Sequence, residues 1–219
     1  MRPHSFLAVC AGVAFSFLLG GCQSGKKAVT FVKPLPPQNY FSGEPIGIPM
    51  RRVALLPIYH DKVPVEQLRV LDAAFNAELT KKSIFEVVPV SRAAMETCFG
   101  ERQFASVENL PADLLEKLRE RFGVDGIVFT DLTHYSPYRP LAIGVRAKLV
   151  DAASGEVRWA FDYIFDSGTP AIALAAKTYQ TRYNGDNLPL AGDGGTVLIS
   201  PTRFARFVAN QTYVSLNKK

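Results

Sequence analysis

The chain has 219 residues, of which 47% are hydrophobic and 21% charged, and its formal net charge is +5. This balance excludes a wholly disordered chain, a collagen-like fibre and a protein with several membrane spans. Three cysteines are too few for a disulfide scaffold, and the three histidines are too far apart for the spacing of a metal site. We therefore expect one globular domain that holds no metal and no cofactor.

The amino terminus has the order of a secretory signal peptide. Arg2 supplies a positive charge, residues 5–21 are uncharged and mostly apolar, and small residues precede Cys22. The apolar run is slightly shorter than the roughly 20 residues that a membrane-spanning helix needs. We predict that residues 1–21 are a cleaved signal peptide, and an uncleaved membrane anchor is the alternative.

The four residues at the predicted cleavage site, Leu19, Gly20, Gly21 and Cys22, resemble the lipobox of bacterial lipoproteins. In that motif small residues admit a peptidase, and the cysteine thiol is acylated and becomes the new amino terminus. The resemblance implies a palmitate-type anchor on Cys22, because two or more acyl chains hold a protein stably on a membrane. The residue after the lipidated cysteine directs the sorting of bacterial lipoproteins, and a residue other than Asp favours the outer membrane. Gln23 occupies this position, so the resemblance implies the outer membrane, with the domain on its periplasmic face. Cys98 would then be the one remaining thiol, either a buried structural cysteine or a reactive one.

Residues 22–50 hold the lipidated cysteine and a proline-rich stretch. Five prolines and three glycines in this range favour extended backbone over helix. We predict a tether, and a shorter arm that packs on the domain is the alternative. Residues 51–219 then form a single domain.

The first half of the domain alternates predicted strands and helices. Apolar runs predict strands at 52–58, 84–90 and 124–132. An apolar period of three and four residues predicts helices at 65–82, from Ser91 past Cys98, and at 111–122. On the first of these helices, the residues that recur at this spacing are Leu68, Leu71, Ala74, Phe75, Glu78 and Leu79. The order strand, helix, strand predicts a parallel pair.

The second half contains an alternating hairpin. Residues 141–149 and 157–165 alternate apolar and polar side chains around a turn at 151–155, which predicts two antiparallel strands. Pairing Leu149 with Val157 places both apolar sets on one face and buries Trp159. A helix from Pro170 to about residue 179, a mobile glycine-rich loop at 184–199 and a carboxyl-terminal helix from Ser200 follow. The fold class is α/β, with a mixed sheet of about five strands and helices mostly on one side.

Three segments together resemble a known group of proteins. They are Arg52–Ile58, Phe122–Phe129 and Leu149–Trp159. With a lipobox in front, the chain is similar to bacterial envelope lipoproteins of the curli-secretion-channel and penicillin-binding-protein-activator group, whose domain is similar to the amino-terminal domain of TolB. The resemblance covers about residues 51–180. It implies a non-enzymatic part of an envelope machine: a synthase activator, an assembly factor or a subunit of a secretion pore.

No common catalytic motif occurs in the sequence: G-x-S-x-G, the P-loop, G-x-G-x-x-G, H-E-x-x-H and C-x-x-C are all missing. The pairs Asp131 with His134 and His60 with Asp61 have no nucleophile nearby in sequence, so we predict solvated loop residues. We therefore expect no enzymatic activity and an interaction or assembly role in the envelope. A subunit of an oligomeric secretion channel and a cell-wall hydrolase with an unrecognised site are the alternatives.

The candidate partner-binding residues are Tyr135, Tyr138 and Arg139, between the third and fourth predicted strands. Two prolines stiffen this loop, and Tyr and Arg are enriched at interface hot spots. The alternative is that the tyrosines pack over the end of the sheet. A second candidate is the basic carboxyl-terminal region, which could contact anionic headgroups or an acidic partner. The alternative is that it is a solvated helix face. Its basic residues are Lys177, Arg182, Arg203, Arg206, Lys218 and Lys219. The expected partners are the membrane and other envelope proteins or a second copy of the chain, and not nucleic acid.

Overall fold

The computed structural model describes residues 38–41, 50–183 and 195–217. The predicted signal peptide, Cys22 and most of the tether lie outside the described residues, as do residues 184–194 of the glycine-rich loop and the last two lysines. The strands are β1 (Gln38–Phe41), β2 (Arg52–Leu55), β3 (Glu86–Pro89), β4 (Gly126–Ser136), β5 (Ala142–Asp151) and β6 (Val157–Asp166). The helices are α1 (Val65–Thr80), α2 (Arg92–Phe99), α3 (Leu114–Phe122), α4 (Pro170–Tyr183) and α5 (Pro201–Thr212), with short 3₁₀ turns at Gly195–Leu198 and Tyr213–Asn217.

The strands form one mixed sheet in the order β1-β6-β5-β4-β2-β3. β2 is parallel to both β3 and β4, whereas β4, β5, β6 and β1 are successively antiparallel. The predicted α/β class and the mixed sheet are therefore confirmed. β1 adds a strand to the five that the sequence predicts, and it comes from residues within the predicted tether.

Each face of the sheet packs against its own helices. On one face, α1, α4 and α5 cover the larger core cluster, which includes Phe75, Trp159, Phe161 and Phe207. On the other face, the shorter helices α2 and α3 cover a smaller cluster around β2 and β4. Most of the helical layer thus lies on one side, as the sequence predicts.

The hairpin of β5 and β6 has a different register from the predicted one. Leu149 lies opposite Trp159, and Val150 lies opposite Val157, so the predicted pairing of Leu149 with Val157 is wrong by two residues. The turn accounts for one residue of this shift, since it leaves Val150 opposite Val157, and a one-residue bulge at Arg158 adds the second. The alternation of side chains reveals neither. Because the slip is an even number of residues, both apolar sets still face the same core. The predicted burial of Trp159 is confirmed, since its side chain is 0% exposed.

A buried carboxylate joins the three helices of the larger core. Glu78 on α1 is fully buried among the apolar side chains of that helix. Its oxygens accept hydrogen bonds from the Tyr179 hydroxyl of α4 at 2.9 Å and from the Asn210 amide of α5 at 3.0 Å, and Lys81 pairs with it at 2.6 Å. A buried charge is tolerated when its lone pairs are satisfied in this way. Glu78 therefore fixes how α1, α4 and α5 pack together.

Candidate interaction surface

The features that could contact a partner lie along one edge of the sheet, the edge formed by the carboxyl ends of its parallel strands. The carboxyl ends of the parallel strands β2, β3 and β4 lie at this edge. β6 also ends there, and β1 begins there, because each of these strands is antiparallel to its neighbour. Open α/β sheets commonly bind their ligands at this edge. The β4–β5 loop, residues 137–141, and the segments that follow β2 and β3 occupy it.

Tyr135 does not belong to the exposed part of this edge. It lies on β4 opposite Ile143, is half-buried and packs against the larger core cluster. Burial raises the pKa of its hydroxyl above the ordinary value, since the phenolate would lose hydration. The packing alternative therefore describes Tyr135 well.

Tyr138 and Arg139 lie at the tip of the β4–β5 loop and point away from the core. The Tyr138 side chain is 81% exposed, and Arg139 is exposed as well. The loop is closed by a hydrogen bond in which the Ser136 hydroxyl donates to the Tyr138 carbonyl at 3.3 Å. The Arg139–Pro140 peptide bond is cis. Of the three candidate residues, two are thus available to a partner.

We expect the double substitution Tyr138→Ala with Arg139→Ala to weaken complex formation in the envelope without destabilising the domain. Two exposed side chains contribute little to folding, so the thermal midpoint should move by no more than a few degrees. In-cell crosslinking followed by mass spectrometry measures the complex, and thermal unfolding measures the fold. Unchanged crosslinks would place the partner surface elsewhere, and a large fall in the midpoint would show that the loop is structural.

The basic residues of the second candidate region are divided between two helices. Lys177 and Arg182 lie on α4, whereas Arg203 and Arg206 lie on α5. Arg203 donates to the Thr196 hydroxyl at 2.8 Å and so helps to hold the 3₁₀ turn that precedes α5. Arg206 is exposed. The structure therefore gives Arg203 a local structural contact, and Arg206 is the more available cation.

Asp131 is buried rather than solvated, which corrects the sequence-based prediction. Only 4% of its surface is exposed, although His134 is exposed as predicted. Its carboxylate accepts hydrogen bonds from the Ser106 amide at 2.9 Å and the Ser106 hydroxyl at 2.5 Å, and Lys148 donates to the Ser106 carbonyl at 2.9 Å. The group ties the loop before α3 to the sheet. Sequence reasoning missed it because Ser106 lies 25 residues from Asp131.

We expect Asp131→Asn to change how stability depends on pH. Burial raises the pKa of Asp131 above the ordinary value near 4, although the hydrogen bonds from Ser106 oppose the rise. The folded chain then holds the proton more tightly than the unfolded chain. The stability that Asp131 contributes is greatest below the ordinary pKa and decreases as the pH rises through the raised one.

Asparagine does not titrate, so Asp131→Asn lacks this dependence on pH. We subtract the free energy of unfolding of Asp131→Asn from that of the natural chain, and we expect this difference to decrease from about pH 3 to pH 7. Denaturant unfolding of both proteins at several pH values measures this difference. Glu120→Gln, on the exposed side of α3, is the control and should give a smaller change. A difference that increases with pH would contradict the assignment.

No family model matches the chain, and no curated protein matches it. Similar solved structures include the lipoprotein GNA1162 from Neisseria meningitidis, which is 20% identical in sequence and has a TM-score of 0.41. The match covers 64% of this chain and 98% of GNA1162. The PelC dodecamer from Paraburkholderia phytofirmans is 12% identical with a TM-score of 0.40, covering 77% of this chain and 96% of that one. The LpoB carboxyl-terminal domain from Salmonella enterica is 16% identical with a TM-score of 0.34, covering 54% and 84% respectively.

These likenesses are partial and of low sequence identity. Within the described ranges, no helix is both long and apolar enough to cross a membrane. The same residues contain no group of three His, Cys, Asp or Glu side chains arranged to hold a metal ion.

Proposed function

We propose that the chain is a lipid-anchored protein of the bacterial envelope, held on the periplasmic face of the outer membrane through Cys22. The observation that carries this proposal is the order of a basic start, an apolar run and the residues Leu19, Gly20, Gly21 and Cys22. Acyl chains on Cys22 would attach the protein to the membrane without a spanning helix. Metabolic labelling with palmitate tests the anchor.

We further propose that the α/β domain is a non-enzymatic interaction or assembly factor. The loop tip of Tyr138 and Arg139 supports this role, because a large exposed aromatic ring beside a guanidinium is typical of interface hot spots. Its position at the edge where the carboxyl ends of β2, β3 and β4 meet also supports it. Purified protein that turned over cell-wall fragments would contradict the proposal and favour a hydrolase. A ring of many copies, seen as particle mass, would favour a channel subunit.

A further inference from the structure

A cleft opens where the connections of two adjacent parallel strands leave the sheet on opposite faces. β2 continues into α1, which packs on the larger core, whereas β3 continues into α2, which packs on the smaller one. Such a divergence leaves a crevice outside the carboxyl ends of the two strands. The cleft lies there, between the segment that follows β2, the start of α1, and α2 with the residues after it.

The lining of the cleft combines apolar and polar side chains, and its size suits a short ligand. Its apolar part is formed by Val63 and by Val65, which is 36% exposed at the first turn of α1, with the buried Leu68 behind them. The cleft has a volume of about 350 Å³, which is within the range of roughly 300–1,000 Å³ found for ligand pockets. One aliphatic side chain and the backbone on either side of it would fill this space.

The two arginines of the cleft are already occupied. Arg92 pairs with Asp72 at 3.0 Å and donates to the Ile58 carbonyl at 2.8 Å. Arg102 forms a two-point ion pair with Glu96, the shorter contact being 3.0 Å. Their positive charges are therefore balanced by carboxylates of the same chain.

Among the residues that the structure describes, no lysine or arginine forms an ion pair with Asp61, although its carboxylate lies 3.4 Å from Nδ1 of His60. Nδ1 of His60 accepts hydrogen bonds from the amides of Lys62 at 2.9 Å and Val63 at 3.1 Å. That nitrogen is therefore engaged as an acceptor, and it does not donate a hydrogen bond to the Asp61 carboxylate.

Glu101 is the second acid of the rim without a partner. It is exposed and forms no ion pair with any residue in the ranges 38–41, 50–183 and 195–217. The rim thus presents two unbalanced negative charges on a chain whose net charge is +5. Unpaired charges at a pocket rim select ligands of the opposite sign.

We propose that this cleft binds an extended peptide segment of a partner protein, in which an apolar side chain adjoins lysine or arginine. The apolar side chain would lie on Val63, Val65 and Leu68, and the cation would lie between Asp61 and Glu101. This site is distinct from the loop tip of Tyr138, and the inference holds whether or not Cys22 carries lipid.

The test uses the mature chain, residues 22–219, with Cys22→Ala so that no lipid can take up the probe. The probes are three fluorescein-labelled pentapeptides of alternating residues: lysine with leucine, glutamate with leucine, and lysine with serine. Fluorescence anisotropy should show saturable binding of the first peptide, at least tenfold weaker binding of the other two, and a loss of affinity as salt increases.

Two sets of variants locate the binding. Asp61→Lys with Glu101→Lys should weaken binding of the lysine–leucine peptide about tenfold, since two attractive charges at the rim become repulsive ones. Glu116→Lys with Glu120→Lys makes the same change in net charge on α3 and should leave the affinity nearly unchanged. Val65→Ser should reduce the preference for leucine over serine.

Several results would overturn the proposal. The absence of saturable binding by the lysine–leucine peptide would do so, and so would equal binding of the glutamate peptide, which would indicate an anion site. An equal loss of peptide affinity in the Asp61/Glu101 and Glu116/Glu120 double variants would show that the attraction comes only from the overall charge of the protein. Thermal unfolding of each variant confirms that the fold is intact.

Discussion

Replacing Cys22 with alanine should abolish palmitate labelling and release the protein from the membrane fraction. The thiol is the acceptor of the lipid in the motif that Leu19, Gly20, Gly21 and Cys22 resemble, and alanine offers no nucleophile. Each buried methylene of an acyl chain contributes about 0.8 kcal/mol to membrane binding, so losing two or more chains removes essentially all of the attachment. Growth with labelled palmitate, followed by fractionation and detection of the protein, measures both effects.

The other two cysteines provide matched controls for this experiment. Cys10 lies in the predicted signal peptide, and Cys98 lies on α2, where it is partly buried. Cys10→Ala and Cys98→Ala should both leave the labelling unchanged. Labelling that survives Cys22→Ala but disappears in one of the controls would move the anchor to that cysteine.

Replacing Trp159 with alanine should cost about 3–5 kcal/mol of the free energy of unfolding. The indole is fully buried, lies 6.2 Å from the rings of both Phe161 and Tyr213, and donates from Nε1 to the Ser215 hydroxyl at 2.9 Å. Alanine leaves a large cavity and deprives the buried hydroxyl of a partner. A domain whose stability is roughly 5–15 kcal/mol would lose much of it. Denaturant unfolding measures the loss.

An exposed aromatic residue provides the comparison for Trp159. Tyr138→Ala removes a ring that is 81% exposed, and it should change the free energy of unfolding by no more than about 0.5 kcal/mol. Trp159 is the only tryptophan, so the emission of the natural protein reports its surroundings directly. An emission maximum typical of indole in water would contradict its burial between the sheet and the turn after α5.

The sequence predicts those parts of the fold that depend on local periodicity. The alternation along 141–149 and 157–165 identifies β5 and β6 and buries Trp159, because side chains on a strand repeat every two residues. The same alternation cannot distinguish the predicted register from one shifted by two, since both place the same side chains inward. The turn and the bulge at Arg158 each contribute one residue of the shift. Bulges depend on contacts across the strand pair rather than on the pattern of one strand.

The candidate surface was only partly predictable, because most of it depends on residues that are distant in sequence. The loop of Tyr138 and Arg139 is recognisable from its composition alone. The burial of Asp131 depends on Ser106. The cleft is formed by the segments that follow β2 and β3, which are separated in the sequence by the 16-residue helix α1. No local pattern indicates that these segments meet. Their meeting follows from the parallel pairing of β2 with β3, which brings both carboxyl ends to one edge.

If Cys22 carries lipid, the pairing of β1 with β6 would limit how far the sheet can be from the lipid bilayer. If Cys22 is anchored, only residues 23–37 separate it from the sheet, and these 15 residues span about 46 Å in the polyproline-type conformation that their prolines favour. β1 begins at the same edge that holds Tyr138 and the cleft. The tether would then keep the Tyr138 loop and the cleft close to the bilayer. Confinement there would raise the effective concentration of a partner fixed in the same membrane to about the millimolar range. Contacts that are weak in dilute solution would be sufficient for recognition there.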